Sequence, residues 1–129
     1  MTNQPKTGEF CWYELATTNV KAAKDFYNKV FGWEYTEYPM GDMTYTMIKK
    51  DKEFAGIWPI PKDQEKHIPP HWIAYILVDN LDQSLEKAKK NGATIVKPAT
   101  QAGDMGRFAV IQDPTGAHIA LWQPLQAKK

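Results

Sequence analysis

The feature that most constrains the fold of this chain is an internal repeat. The turn sequence Gly41-Asp42-Met43 recurs as Gly103-Asp104-Met105, and Ala55-Gly56-Ile57-Trp58 is echoed by Ile119-Ala120-Leu121-Trp122. In each copy, a strand and then a helix that starts at an asparagine come before these segments. Residue identity between the copies is low, but element order and turn positions agree. The chain is therefore predicted to contain two similar halves.

Each half is predicted to fold in the order βαβββ. In the first half, an alternating strand at 10–17 leads to a helix that begins at the N-cap Asn19 and ends at Gly32. In the second half, an apolar strand at 73–78 leads to a helix from Asn80 to Asn91-Gly92. Further strands are predicted at 34–38, 44–49, 53–58, 94–98, 107–112 and 118–123. Because one such unit cannot cover both faces of its sheet, we expect an α+β fold with a curved, cup-like mixed sheet and helices outside.

A proline-rich segment separates the two halves. Residues 59–70 contain four prolines among charged residues, which is typical of a linker. The first βαβββ half is therefore assigned to 9–58 and the second to 71–124. Together they form one predicted domain over the 129 residues, a length that suffices for a single hydrophobic core.

The composition excludes several classes of protein. Lys and Arg number 16 and Asp and Glu number 15, so the net charge of +1 argues against a nucleic-acid or anionic-membrane binder. No apolar run approaches the roughly 18 residues that a membrane span needs. Residues 1–8 are polar and lack the apolar core of an export signal, so we expect a soluble cytoplasmic protein. The single cysteine, Cys11, excludes an intrachain disulfide and a thiolate-rich zinc site.

Several motifs resemble those of the vicinal oxygen chelate superfamily, which includes glyoxalase I, bleomycin-resistance proteins and extradiol dioxygenases. The motifs are Asp25-Phe26-Tyr27, Phe31-Gly32-Trp33, Asp113-Pro114-Thr115-Gly116 and Leu121-Trp122-Gln123-Pro124. The stretch 11–18 is similar to a glyoxalase-like subgroup of unassigned activity. The resemblance covers about residues 9–124. It implies the cup-like fold, but members of the superfamily differ in function, from ligand binding to several kinds of catalysis.

The resemblance also bears on metal binding. Enzymes of this superfamily typically hold one divalent ion with His, Glu or Gln side chains from the first and last strands of each half. By this resemblance the four ligand positions fall on Trp12, Gly56, Ile73 and Ala120. None of these side chains binds a divalent ion, so the usual metal site is predicted to be absent and no cofactor is expected. A register shift of one residue would bring other side chains to the site, but no complete ligand triad.

The same alignment predicts an aromatic pocket on the concave face. Gly56 and Ala120 leave room at its centre. The predicted ligand-binding residues are Trp12, Phe54, Trp58, Tyr75 and Trp122. An apolar pocket with few polar groups is the usual form of a small-molecule site. The alternative is that these aromatic residues belong to the core.

Two polar residues share the predicted concave face and are the candidate catalytic residues. Glu14 lies two residues after Trp12, and His118 lies two before Ala120. A buried glutamate beside a histidine can act as general base and general acid. The alternative is that Glu14 belongs to a buried hydrogen-bond network and His118 lies at a strand end near solvent.

Arg107 and Tyr45 are weaker candidates, as anchors for an anionic ligand at the rim of the pocket. Three functional classes remain open. The first is a metal-independent module that binds a small, partly aromatic molecule. The second is a glyoxalase-type lyase or isomerase, or a related oxygenase. The third is an interaction domain, and because the superfamily often pairs modules we expect a homodimer.

Overall fold

The computed structural model describes residues 5–41 and 43–125. Asp42, in the first copy of the repeated turn, and residues 1–4 of the polar start lie outside the described residues. The chain divides into two compact units, one formed by Trp12–Ile73 and the other by the chain on either side of it. The division falls inside the first strand of each half, β1 (Phe10–Thr17) and β5 (His71–Leu77).

The unit Trp12–Ile73 contains the first βαβββ repeat. After β1 come α1 (Val20–Phe31), β2 (Glu34–Met40), β3 (Met43–Lys49) and β4 (Glu53–Pro59). Its strands lie in the order β2-β3-β4-β1, with β1 parallel to β4 and the other pairs antiparallel. A short 3₁₀ helix, Lys62–Gln64, lies in the predicted linker.

The second unit repeats this arrangement. After β5 come α2 (Leu81–Lys90), β6 (Thr94–Ala102), β7 (Gly106–Gln112) and β8 (His118–Pro124). The strand order is β5-β8-β7-β6, with β5 parallel to β8. The predicted α+β class with two βαβββ repeats is therefore confirmed. The strand β6 runs beyond its predicted end and contains Pro98, which is tolerated because β6 has a paired neighbour on one side only within its unit.

The helix ends agree with the sequence prediction. The Asn19 side chain accepts a hydrogen bond from the Ala22 amide at 3.0 Å, and the Asn80 side chain accepts one from Gln83 at 3.1 Å. Gly32 adopts the left-handed conformation with φ of 74°, which glycine allows at low cost. Within the part of the chain that the structure describes, no helix is long and apolar enough to cross a bilayer.

Each unit has a hydrophobic cluster beneath its own helix. In the first unit the buried members are Leu15, Ile48, Ala55 and Ile57. In the second they are Val78, Leu81, Ala109 and Leu121. Since successive side chains of a strand point to opposite faces, these clusters fix which residues lie on the face away from the helix.

Tyr27 and Trp33, from the first two sequence motifs, pack together within the first unit. The Tyr27 and Trp33 rings stack with centroids 5.1 Å apart, and Trp33 meets Phe54 edge-on at 5.3 Å. The Trp72 indole nitrogen donates a hydrogen bond to the Tyr27 hydroxyl at 3.1 Å. The aromatic motif thus joins α1 to the sheet by ring packing.

Candidate functional site

A chain of hydrogen bonds links three side chains on the face of the first unit that lies away from α1. The Trp12 indole nitrogen donates to the Tyr45 hydroxyl at 3.0 Å, and that hydroxyl donates to a Glu14 carboxylate oxygen at 2.7 Å. Tyr45 is on β3, whereas Trp12 and Glu14 are on β1, and β4 lies between these strands. The phenol ring therefore crosses a complete strand to reach its partners.

Gly56 makes this crossing possible. It lies directly opposite Glu14 on β1 and Met47 on β3. A Cβ atom built at Gly56 would overlap the Tyr45 hydroxyl and ring. Only a residue without a side chain therefore permits the network at this position. The phenol of Tyr45 therefore occupies the space that a side chain at Gly56 would need.

The environment of Tyr45 fixes its protonation. Its side chain is buried, with 9% of the residue exposed. Burial raises the pKa of Tyr45 far above its ordinary value, and the nearby charge of Glu14 raises it further, while the bond from Trp12 acts in the opposite direction. Tyr45 is consequently a neutral phenol whose proton is donated to Glu14. This geometry does not support the expected role of Tyr45 as an anchor for an anion.

Arg107 does not support that role either. Its two terminal nitrogens contact the Asp82 carboxylate on α2 at 3.3 and 3.2 Å. Arg107 has the same strand parity as Ala109, which belongs to the cluster beneath α2. The arginine therefore lies on the helix side of β7. The expected position at the pocket rim is wrong, because the ion pair with Asp82 holds the side chain on the other face.

Two of the predicted aromatic ligand contacts in the first unit, Trp58 and Phe54, lie on different faces of the sheet. Trp58 is half-buried and follows Gly56 by two residues, so it shares the face of Tyr45 and Glu14. Phe54 instead packs against the cluster beneath α1 and against Trp33. An irregularity in the pairing of β3 with β4 after Ile48 changes the alternation there. The prediction that Phe54 lies on the concave face is therefore wrong. The argument for Phe54 as a ligand contact depended on that face.

The second unit has its own aromatic residues on the face away from α2. Tyr75 is buried, lies opposite Ala120, and its ring centroid is 6.5 Å from that of Phe108. Trp122 is half-buried and pairs with Phe108 across β7 and β8. These positions agree with the predicted face. Ligand contact by Tyr75 and Trp122 stays a prediction.

The candidate catalytic residues Glu14 and His118 lie in different units. Glu14 is half-buried and bonded to Tyr45. His118 is exposed at the first position of β8, opposite Gln112. A role for this pair as general base and general acid stays a prediction.

The four predicted metal-ligand positions have no donor chemistry suited to a divalent ion. The Trp12 indole donates its proton to Tyr45, Gly56 has no side chain, and Ile73 and Ala120 are buried aliphatic residues. Across residues 5–41 and 43–125, no group of three or more His, Cys, Asp or Glu is placed to hold a metal ion. These residues do not fit the metal of the related enzymes, and a metal-independent function stays a prediction.

Sequence reasoning missed the combination of Tyr45 and Gly56. The signal was present, because a glycine within a strand often marks close approach by another group. What a single strand does not reveal is the lateral order, which places Tyr45 two strands away from Glu14 with the glycine between them.

Comparison with known proteins agrees with the fold. A family model described as the Glyoxalase/Bleomycin resistance protein/Dioxygenase superfamily matches residues 10–121. The chain belongs to this superfamily, so the resemblance drawn from the sequence motifs is confirmed.

Two curated relatives illustrate the range of this superfamily. The chain is 41% identical over 115 residues to "Putative glyoxylase CFP32" of Mycobacterium bovis, covering 87% of this chain and 44% of that protein. It is 26% identical over 129 residues to "Anthracycline biosynthesis protein DnrV" of Streptomyces peucetius, covering 90% of this chain and 47% of that protein. The chain therefore spans a little under half the length of these relatives.

Solved structures show the same fold. Methylmalonyl-CoA epimerase from Mycobacterium tuberculosis superposes with a TM-score of 0.66 at 18% identity, over 98% of this chain and 93% of that one. The hypothetical protein BH1468 from Bacillus halodurans superposes with a TM-score of 0.69 at 12% identity, over 96% of this chain and 99% of that one. At such low identities the likeness concerns the fold alone.

Proposed function

We propose that this chain binds a small, partly aromatic molecule without a metal ion, on sheet faces that lie away from the helices. The observation that carries the proposal is the hydrogen-bonded chain of Trp12, Tyr45 and Glu14 over Gly56. At a position that the sequence resemblance predicts for a metal ligand, this chain has a glycine covered by a neutral phenol ring. Aromatic surface thus replaces a metal-binding oxygen or nitrogen.

The remaining residues of this face are consistent with stacking against a flat ligand. Trp12 and Trp58 are both half-buried and flank the level of Glu14 and Gly56. Aromatic side chains with a few polar groups are typical of small-molecule sites. In the second unit, Tyr75 and Trp122 form a comparable aromatic face.

The name of the Streptomyces peucetius relative suggests a first probe, an anthracycline, which is a flat polycyclic molecule. Replacement of Trp58 or Trp122 by alanine should weaken its binding at least about tenfold while the protein stays folded. Isothermal titration calorimetry measures the affinity, and circular dichroism checks the fold. The matched control is Trp72→Ala, because Trp72 is an exposed tryptophan bonded to Tyr27 of α1. Unchanged affinity in both Trp58 and Trp122 variants would overturn the proposal.

A second candidate function, catalysis by Glu14, is favoured by one specific observation. The Glu14 carboxylate is half-buried and oriented by a 2.7 Å bond from Tyr45, as a general base requires. The relative at 41% identity is described as a glyoxylase. The alternative is therefore a lyase or isomerase of the glyoxalase type, or an oxygenase.

Consumption of methylglyoxal by purified protein tests this alternative. The Glu14→Gln variant should lose turnover by about a hundredfold or more and keep its fold. Glu53→Gln is a matched control, since that carboxylate also accepts a tyrosine hydroxyl but belongs to an exposed pair. Full turnover in Glu14→Gln would exclude Glu14 as the base.

We also propose that the protein is a cytoplasmic homodimer. The curated relatives are more than twice as long as the matched region, so a second copy would supply a comparable length of chain. Sedimentation velocity over a range of concentrations should show a dimer. A monomer at every concentration would refute the assembly, and cell fractionation tests the location.

A further inference from the structure

We infer that the ligand of the first unit is an organic cation, recognised by the Glu14 carboxylate and the aromatic rings beside it. This inference rests on the proposed function, namely that the face formed by Trp12, Tyr45 and Trp58 binds a small aromatic molecule. It adds the sign of the ligand's charge.

The direction of the hydrogen bonds is the first argument. Trp12 donates its indole proton to Tyr45, and Tyr45 donates its hydroxyl proton to Glu14. The polar hydrogens of both rings are therefore used within the network. The electrostatic feature that remains on each ring is the electron-rich face of the π system, which attracts cations.

A second tyrosine on the same face, Tyr38, also donates its hydroxyl proton to a carboxylate. Tyr38 on β2 lies directly opposite Tyr45 on β3, so the two side chains share one face of the sheet. The Tyr38 hydroxyl donates to a Glu53 carboxylate oxygen at 2.7 Å. Both phenol protons are thus directed at carboxylates. An anionic ligand on this face would be repelled by the negatively charged carboxylates and would find no free phenol proton on Tyr38 or Tyr45.

Two lysines of this unit are engaged near α1. The Lys24 ammonium bonds to Glu37 on β2 at 2.6 Å, and Lys50 donates to the carbonyl of Gly32 at the end of α1. Glu37 lies on the opposite face of β2 from Tyr38 because the two residues are neighbours in the strand. Lys24 therefore belongs to the helix side, and its charge does not favour an anion beside Glu14.

Three naphthalene probes of similar size test the charge preference. They are 1-naphthylmethylamine, which is protonated at neutral pH, the neutral 1-naphthalenemethanol and the anionic 1-naphthoate. In wild-type protein the ammonium should bind at least about tenfold more tightly than the alcohol, as carboxylate attraction and cation–π contact add together. Naphthoate should bind most weakly. Added salt should weaken ammonium binding and leave the alcohol unaffected.

Two matched variants locate the preference. Glu14→Gln keeps the shape of the side chain and should abolish the preference for the ammonium over the alcohol. Glu37→Gln removes a carboxylate on the opposite face of β2 and should retain the preference. Thermal melts check that both variants are folded, and the comparison of the three probes on wild-type protein is decisive even if Glu14→Gln fails to fold.

The outcomes separate this inference from the proposed function. Equal binding of the ammonium and the alcohol by wild-type protein would overturn the cation inference and leave aromatic binding intact. The same would follow if Glu37→Gln abolished the preference as fully as Glu14→Gln. If none of the three probes bound while the anthracycline did, the cation inference would be overturned. If the anthracycline failed to bind as well, the proposed function would fail with it.

Discussion

Tyr45 lies over Gly56 so closely that a methyl group at position 56 would overlap the hydroxyl and ring of the tyrosine. Both residues are buried, and the tyrosine hydroxyl is hydrogen-bonded to Trp12 and Glu14. The Tyr45 ring cannot move away from Gly56 without breaking these partly buried hydrogen bonds. The glycine is thus a structural requirement of the network.

The first prediction concerns Gly56→Ala. The added methyl group should lower the free energy of unfolding by about 1–3 kcal/mol, the usual cost of overpacking. Urea denaturation measures the change. In a Tyr45→Ala background the same substitution should cost much less, because the ring that it meets has been removed. Equal costs in the two backgrounds would show that the overlap with Tyr45 is not the cause.

The second prediction concerns the hydroxyl of Tyr45. Tyr45→Phe leaves the indole N–H of Trp12 and a carboxylate oxygen of Glu14 without this partner, so stability should fall by about 1–3 kcal/mol. The matched control is Tyr38→Phe, which removes an exposed tyrosine–glutamate bond and should cost at most about 0.5 kcal/mol. Similar losses in both variants would indicate that the Tyr45 network contributes no more than a surface contact.

Much of the fold was predictable from local sequence. Asn19 and Asn80 each precede a helix, and their side chains cap it as the sequence indicates. The alternation of β1 correctly places Glu14 on the face of the strand that lies away from the core residue Leu15. These features depend on neighbours along the chain, and local rules describe them well.

The remaining part of the site depends on contacts between strands, which one sequence does not specify. Phe54 was placed on the wrong face because the pairing of β3 with β4 becomes irregular after Ile48, and a shift of one residue reverses a side chain's direction. The link from Tyr45 to Glu14 spans three strands. It follows from lateral order and register, which alternation within one strand does not contain.

The third prediction concerns alkaline pH. The pKa of Tyr45 is raised in the folded protein, chiefly by burial and then by the charge of Glu14. Below the unfolded pKa of about 10 the phenol is neutral in both states, and its contribution to stability is fully present. Above that pH the unfolded phenol ionises while the folded one stays neutral, so stability falls by up to about 1.4 kcal/mol per pH unit.

Urea denaturation of wild type and Tyr45→Phe between pH 8 and 11 checks this effect. The wild-type protein should lose stability more steeply than the variant once the pH exceeds about 10, because the variant lacks the ionising group. Parallel curves for the two proteins would mean that Tyr45 titrates normally in the fold.

The fourth prediction separates a core role from a binding role for two aromatic residues of β4. Phe54→Leu should reduce stability by about 1 kcal/mol, because its ring packs against Trp33 and the cluster beneath α1, and anthracycline affinity should stay unchanged. Trp58→Leu should weaken binding with a smaller loss of stability, because Trp58 shares the face of Tyr45 and Glu14. Denaturation and calorimetry on both variants provide the test. If Phe54→Leu instead weakened binding at unchanged stability, Phe54 would contact the ligand after all.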